Sequence, residues 1–99
     1  MVKNGTRLQS QVDDTQVIVV KTADSLDDLR CGGTAMIALD AEKAAAEIDP
    51  DFAAGTAMGK RYVDDGGAEV LVTKAGKGTL SVGTTALVLK EAKPLPASD

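Results

Sequence analysis

The fold is decided by two β-branched runs, Val17-Ile18-Val19-Val20-Lys21 and Val70-Leu71-Val72-Thr73-Lys74. Such runs favour strands, because branched side chains pack well against their neighbours on a pleated sheet. The first run belongs to a longer β-branched stretch, 15–22, which is continuous enough to form a central strand. We therefore predict that Val19 and Val72 are buried at the centre of a sheet.

The two runs belong to a larger internal similarity. Four blocks recur in the same order: Gly5-Thr6-Arg7-Leu8 as Gly55-Thr56-Ala57-Met58, Val12-Asp13-Asp14 as Val63-Asp64-Asp65, the two β-branched runs, and Gly33 to Leu39 as Gly83 to Leu89. Because ordered matches with short gaps are hard to reach by chance, the sequence predicts two repeats of about 50 residues, 5–39 and 55–89. We expect the repeats to superpose about a pseudo-twofold axis, with 40–54 as a connector and 93–99 as an extended, proline-containing tail.

Most of each repeat is predicted to form strands separated by turns. The predicted strands are 6–12, 15–22, 29–31, 35–39, 61–63, 68–74, 79–82 and 86–90. Gly32-Gly33 and Gly66-Gly67 predict turns, because glycine adopts positive φ freely. Residues 40–48 instead have high helix propensity, with Asp40 as the N-cap and Asp49-Pro50 as the end. The sequence thus predicts an all-β fold with at most one short helix, arranged as a small barrel or sandwich.

The 99 residues suffice for one domain, 1–99, and its core is predicted to be small. With one Phe, one Tyr and no Trp, few large side chains are available for burial. Substitution of Val19 or Leu89 by Ala is therefore expected to unfold much of the isolated protein. Because association can complete a thin core, we expect a homo-oligomer or a protein partner. The predicted contacts are a strand edge, the apolar face around Met36 and Ile37, and the tail residues Leu95 and Pro96.

Several classes of function are excluded or disfavoured by the composition. The chain has no His and a single Cys, Cys31, which excludes histidine catalysis, an internal disulfide and a multi-cysteine metal site within one chain. A net charge of −4 and an aromatic content of 2% disfavour nucleic-acid binding, since phosphate is repelled and bases have little to stack on. No apolar run is long enough to span a bilayer, and residues 1–5 do not resemble a secretory signal. We expect a cytoplasmic protein without membrane contact, with a composition typical of bacterial genomes rich in GC.

Four short patterns are weighed as chemical sites. Residues 54–61 resemble a phosphate-binding loop but lack its spacing and its hydroxyl, so a loop that enters a strand is predicted. Gly76-Lys77-Gly78 lies between two predicted strands and indicates a hairpin turn. Cys31 is predicted to be a buried core residue. The pairs Asp13-Asp14 and Asp64-Asp65 would suit a divalent cation if symmetry brought them together, but solvated turns are the expected outcome.

The segment from Gly33 to Ile48 resembles the swinging-arm segment of lipoyl domains. The matching positions are Met36, Leu39, Asp40, Glu42, Lys43, Ala44, Glu47 and Ile48, with Glu42 in place of the family's Asp. Lipoyl and biotinyl domains are quasi-twofold β structures, which agrees with the internal repeat. The resemblance implies that Lys43 lies at the tip of a hairpin and carries a lipoyl group.

Three functions are compatible with these observations. The first is a non-catalytic small β domain that acts as a protein-interaction or accessory subunit, because no acid–base pair, nucleophile or metal cage is visible in the sequence. The second is a lipoyl-like carrier domain modified at Lys43. The third is a protein that binds metal or catalyses a reaction only as an oligomer, with Asp side chains and Cys31 contributed by several chains. We predict the first, with no catalytic residue, no metal and no cofactor.

Overall fold

The protein is built from short strands. The computed structural model describes residues 2–44 and 46–90. The strands are β1 (Arg7–Gln9), β2 (Gln16–Lys21), β3 (Leu29–Cys31), β4 (Thr34–Ala35), β5 (Ile37–Ala38), β6 (Arg61–Val63), β7 (Glu69–Lys74), β8 (Leu80–Val82), β9 (Thr85–Ala86) and β10 (Val88–Leu89). Two 3-10 helical turns, Asp24–Asp28 and Pro50–Phe52, complete the regular elements of the described residues. The all-β class is therefore confirmed. Within the same ranges, no helix has the length and apolar character that crossing a membrane requires.

The strands form two antiparallel sheets. The larger sheet has the order β10-β6-β7-β2-β1-β5, and the smaller sheet has the order β4-β3-β8-β9. Strands β1 to β5 of the first half have counterparts β6 to β10 in the second half. When each strand is replaced by its counterpart, both sheet orders become their own reverse. The central pair of the larger sheet is β2 with β7, and that of the smaller sheet is β3 with β8. Each half of the chain therefore contributes one half of both sheets.

Pairing of β2 with β7 explains why the β-branched runs form the centre of the fold. The register pairs are Val17 with Val72, Ile18 with Leu71 and Val19 with Val70. Side chains alternate between the two faces of a strand, so the valines share one face and the Ile–Leu pair lies on the other. Each of these valines is between 0% and 1% exposed. The predicted burial of Val19 and Val72 is confirmed.

The core joins side chains from both sheets. Besides the central valines it contains Leu8, Leu26, Leu29, Cys31, Ala68, Leu80 and Leu87. Cys31 is fully buried, which confirms its prediction as a core residue. The prediction that Leu89 is essential to the core is wrong, since its side chain is 40% exposed. Leu89 lies on the edge strand β10, and the nearby Leu87 takes the core position instead.

The predicted last strand of each half is interrupted in the middle. Strand 35–39 breaks at Met36 and strand 86–90 breaks at Leu87, so β4 and β5 lie in different sheets, as do β9 and β10. The backbone N–H groups of Met36 and Leu87 donate to β3 at 3.0 Å and to β8 at 2.9 Å. Each interruption carries the chain from the smaller sheet to the larger and brings one apolar side chain against the core.

The predicted helix at 40–48 is wrong. The described residues of this segment form no regular element, and the next helical turn is Pro50–Phe52. The ammonium of Lys43 and the backbone N–H of Ala44 instead donate hydrogen bonds to the turn between β1 and β2. Isolated helices of this length are marginal in water, so a few tertiary hydrogen bonds outweigh the helix propensity of the alanines.

Two further predictions about strand length and turns are corrected. Strand 6–12 ends at Gln9, and residues 11–14 form a bend. Residues 75–78 do not form a hairpin, because β7 belongs to the larger sheet and β8 to the smaller one. Gly32-Gly33 and Gly66-Gly67 do join paired strands, as predicted.

Candidate functional site

A compact group of polar side chains lies at the turn between β1 and β2. We call Ser10, Asp13, Thr15, Cys31 and Gly78 the Asp13 cluster. The Asp13 carboxylate accepts hydrogen bonds from the Thr15 N–H at 3.1 Å, from the Thr15 hydroxyl at 3.0 Å and from the Gly78 N–H. Ser10 and Thr15 are fully buried. The cluster therefore ties this turn from within to the crossover between β7 and β8.

The surroundings of Asp13 keep its carboxylate ionised. Burial by itself would raise the pKa of Asp13, but hydrogen bonds from Ser10, Gly78 and Thr15 outweigh burial and hold the pKa below 3.8. A carboxylate with a lowered pKa is a poor proton acceptor at neutral pH. Its lone pairs are also engaged by donors of the protein itself. Asp13 thus acts as a structural acceptor and not as a general base.

Cys31 is enclosed by the same cluster. Its Sγ donates a weak hydrogen bond to Asp13 Oδ1 at 3.8 Å. Burial raises the pKa of Cys31 to about 11, and the nearby Asp13 carboxylate adds to the increase. Because the thiolate is the form that attacks electrophiles and binds metals, the protonated thiol is inert at neutral pH. The hypothesis of an oligomeric metal or catalytic site requires Cys31 to reach another chain, whereas its side chain is fully buried.

The glycines in residues 54–61 and 76–78 have roles in backbone conformation and packing. A Cβ atom on Gly78 would lie 2.8 Å from Cys31 Sγ and 2.8 Å from Gly32 N, so only glycine permits this approach to the cluster. In the stretch 54–61, Gly55 and Gly59 have positive φ angles of 87° and 78°. That stretch is a loop leading into β6, as predicted.

Residues 41–44 and 46–49 of the connector lie against the β1–β2 turn and the β3–β4 turn, and we call the place that they occupy the first groove. The backbone N–H of Asp49 donates to Gly32 O at 2.9 Å. Ile48 lies over the same glycine, since a Cβ atom on Gly32 would lie 2.9 Å from Ile48 Cγ1. The described connector residues thus occupy the first groove with one aliphatic side chain and a backbone hydrogen bond.

Lys43, the candidate lipoyl site, lies within this connector. Its Nζ donates to Asp13 O at 3.1 Å, and the next backbone N–H, of Ala44, donates to Gln11 Oε1 at 2.9 Å. The flanking strands do not pair with each other, because β5 pairs with β1 while β6 pairs with β7 and β10. Lys43 is therefore exposed but not at a hairpin tip, in contrast to what the lipoyl resemblance implies. Its modification stays a prediction.

A second groove lies beside β6 and β10. It is lined by Val63, Asp64, Asp65, Val82, Thr85, Ala86 and Val88 and has a volume of about 290 Å³. Val88 is 61% exposed, and its neighbour Leu89 is 40% exposed. Among residues 2–44 and 46–90, no segment covers this groove as the connector covers the first one.

The two acidic pairs do not occupy matching positions. In the β1–β2 turn the Ser10 N–H donates to Thr15 O at 2.8 Å, and in the β6–β7 turn the Asp64 N–H donates to Ala68 O at 3.2 Å. Asp64 is thus the counterpart of Ser10. Asp13 therefore has no equivalent in the second turn. In the described part of the chain, no group of three or more His, Cys, Asp or Glu side chains is placed to hold a metal ion.

The sequence reasoning missed two polar groups that organise the edges of the larger sheet. Gln9 Nε2 donates to three carbonyl oxygens, Ala38 O, Leu39 O and Ala41 O, at 3.2–3.3 Å. Glu69 accepts from Lys90 Nζ at 2.8 Å and from Arg61 Nη1 at 3.2 Å, and the hydrogen bond from Lys90 lowers the pKa of Glu69. The sequence shows that Gln9 and Glu69 are polar residues next to apolar strand residues, but it does not show which groups they bind.

Comparison with known proteins identifies no relative. No family model matches the chain, and no curated protein or solved structure matches it significantly. The functional argument therefore rests on the geometry of the chain itself. Within that geometry, the Asp13 cluster is accounted for by folding, whereas the second groove is not.

Proposed function

We propose that the chain is a non-catalytic small β domain that acts as a protein-interaction or accessory subunit. The observation that carries this proposal is the second groove, where Val88 is 61% exposed beside an edge strand. Contiguous apolar surface on a soluble domain commonly marks an interaction site. An edge strand adds unpaired backbone groups that another chain can bond.

The chemistry of the polar residues supports the non-catalytic part of the proposal. The Asp13 carboxylate is occupied by three hydrogen bonds from its own chain. Cys31 is enclosed and has a raised pKa. A single buried thiol also has no need of an oxidising compartment. This supports our proposal that the protein works in the cytoplasm.

We also propose that the two halves are repeats related by a pseudo-twofold axis, with the two sheets packed as a sandwich. The symmetric strand orders support the repeat, and a core with side chains from both sheets supports the sandwich. Hydrogen bonds between the halves add further support. The Gly32 N–H donates to Thr79 O at 3.0 Å, and the Gly83 N–H donates to Asp28 O at 3.1 Å. Each half thus bonds to the other in the same way, and each would carry one groove.

The state of association of the full chain tests the proposed function. A tagged chain would be produced in the organism that encodes it, purified, and analysed by light scattering and by mass spectrometry of co-purifying proteins. We expect a homo-oligomer or a stoichiometric partner. Met58→Asp removes an apolar side chain that is 70% exposed outside the groove, and it should leave the association unchanged. A 10.1 kDa monomer with no partner would overturn the proposal.

The carrier hypothesis can be examined in the same preparation. Intact mass spectrometry reads out whether Lys43 bears a lipoyl group, and Lys43→Arg identifies the residue if an added mass is found. We expect the unmodified mass, because the Lys43 ammonium is engaged with Asp13 O at 3.1 Å. An added group that Lys43→Arg removes would replace the interaction proposal with the carrier function.

A further inference from the structure

We infer that the second groove binds an extended segment of a partner protein that carries a branched aliphatic side chain next to a lysine or arginine. This inference rests on the proposed function and specifies the chemistry of the partner. The aliphatic side chain would contact Val63, Val82 and Val88. The cation would lie beside Asp64 and Asp65, which line the same groove.

The first groove shows how this architecture holds an extended chain. The connector fills it with one aliphatic side chain, Ile48, which packs over Gly32. A backbone hydrogen bond from Asp49 N–H to Gly32 O, at 2.9 Å, fixes the direction of the segment. The Lys43 ammonium, on the same connector, donates to Asp13 O at 3.1 Å. An aliphatic group, a backbone bond and a cation are thus the elements of binding in the filled groove.

One pair of equivalent positions differs in polarity between the two halves, with Gln9 in the first half and Val63 in the second. The corresponding residues are Gln9 and Val63 in β1 and β6, Cys31 and Val82 in β3 and β8, and Ile37 and Val88 in β5 and β10. Of the three carbonyl groups that Gln9 binds, that of Ala41 belongs to the connector, and a valine cannot form such a bond. A ligand of the second groove must therefore be held mainly through burial of its own apolar side chain.

The rim of the second groove is acidic. Asp64 and Asp65 belong to its lining, which includes no basic side chain among the described residues. Asp28 lies nearby, with its Oδ2 3.1 Å from the position of a Cβ atom on Gly83, but its carboxylate is paired with Arg30 at 3.0 Å. Asp64 Oδ1 accepts from the Ala68 N–H at 2.8 Å, and neither carboxylate is paired with a cation of the described residues. Carboxylates beside an apolar floor favour a ligand that places a positive charge next to an aliphatic group.

The size and openness of the groove favour a peptide over a compact cofactor. Its volume of about 290 Å³ lies at the lower end of the range of pockets that enclose small molecules. Its lining includes Val88 of β10, which is the last strand of the larger sheet and has a free outer edge among the described strands. An extended segment can add its backbone hydrogen bonds to such an edge while one side chain enters the pocket.

Selection from a phage-displayed random peptide library on the immobilised full chain tests the inference. Selected peptides would be synthesised, labelled and titrated by fluorescence anisotropy. We expect them to share an aliphatic residue beside Lys or Arg. Val88→Asp and Asp65→Lys, both at exposed positions, should weaken binding by roughly tenfold or more, whereas Met58→Asp should leave it unchanged. Thermal melts followed by circular dichroism establish that each variant remains folded.

Several outcomes would overturn the inference. Selected peptides without the aliphatic and cationic pair would reject the proposed chemistry, and binding that Val88→Asp and Asp65→Lys leave unchanged would place the ligand elsewhere. Binding seen only after removal of residues 91–99 would assign the groove to the chain's own tail. Self-association that Val88→Asp abolishes would assign it to a second copy. If a co-purifying partner is retained by Val88→Asp, the proposed function stands and this inference fails.

Discussion

Replacing Asp13 with Asn should show how much stability depends on the Asp13 cluster. The carboxylate accepts from the Thr15 N–H at 3.1 Å, from the Thr15 hydroxyl at 3.0 Å and from the Gly78 N–H. The Asn side chain keeps one oxygen, which can still accept from the Thr15 N–H. The Thr15 hydroxyl can rotate and accept a hydrogen bond from the new amide group. The buried Gly78 N–H, however, then faces an NH2 donor and loses its acceptor. A buried donor without an acceptor costs ~1–3 kcal/mol. We therefore expect a loss of about 2 kcal/mol in the free energy of unfolding, from a total of ~5 kcal/mol for a small domain.

Urea unfolding followed by circular dichroism at neutral pH measures this loss. Asp14→Asn is the matched control, because Asp14 is the exposed neighbour and the substitution removes the same charge. The control should change the free energy of unfolding by less than about 0.5 kcal/mol. Equal losses in the two variants would refute the reasoning, since they would assign the effect to net charge rather than to the buried acceptor.

The same variant should alter the dependence of stability on pH. The pKa of Asp13 in the folded chain is below its ordinary value of 3.8. The carboxylate therefore contributes stability above the unfolded pKa, and that contribution is lost as the pH falls through the folded pKa. Below about pH 4 the unsubstituted chain should lose stability more steeply than Asp13→Asn. Glu69 also has a lowered pKa but is present in both proteins, so identical slopes would contradict the role given to Asp13.

Three further predictions concern the core, the close contact of Gly78 with its neighbours, and the accessibility of Cys31. Val19→Ala should cost about 2 kcal/mol in the urea assay, because Val19 is 1% exposed, whereas Leu89→Ala, at 40% exposure, should cost less than half as much. Equal losses would place β10 in the core. Gly78→Ala should cost ~1–3 kcal/mol, because its Cβ atom would lie 2.8 Å from both Cys31 Sγ and Gly32 N, and an unchanged melting temperature would argue against this close approach. Cys31 should react slowly with a thiol reagent in the native chain and quickly in urea, since burial raises its pKa to about 11; rapid labelling of the native chain would mean that the thiol is accessible.

The parts of the fold that depend on local sequence could be predicted. The two β-branched runs form β2 and β7, and Val19 and Val72 are buried there. Gly32-Gly33 forms a turn because glycine accepts the positive φ angles of 64° and 86° found at these positions. Cys31 is in the core, as its small apolar character indicated. Each of these outcomes follows from the conformational preference or the hydrophobicity of the residue itself.

The predictions of a helix at 40–48 and of a core position for Leu89 were wrong for a different reason. Both were argued from local propensity or from apolar character, but both positions are decided by what the rest of the chain offers. Lys43 and Ala44 bond to Asp13 and Gln11, and Asp49 bonds to Gly32; all three partners lie earlier in the chain. Leu89 is placed on an edge strand by the interruption before it, which no periodicity in the sequence marks.

By itself, the sequence determined the class of the fold and the strands at its centre, because β-branched and apolar runs act locally and the alternation of a strand puts them on one face. Only the tertiary structure decided what the polar residues do. Asp13 and Gly78 are 65 positions apart, yet a hydrogen bond joins them. The packing of distant segments likewise decided that the connector fills one groove while no described segment covers the other. Contacts of this kind depend on the summed geometry of both sheets, and no single stretch of the sequence encodes them.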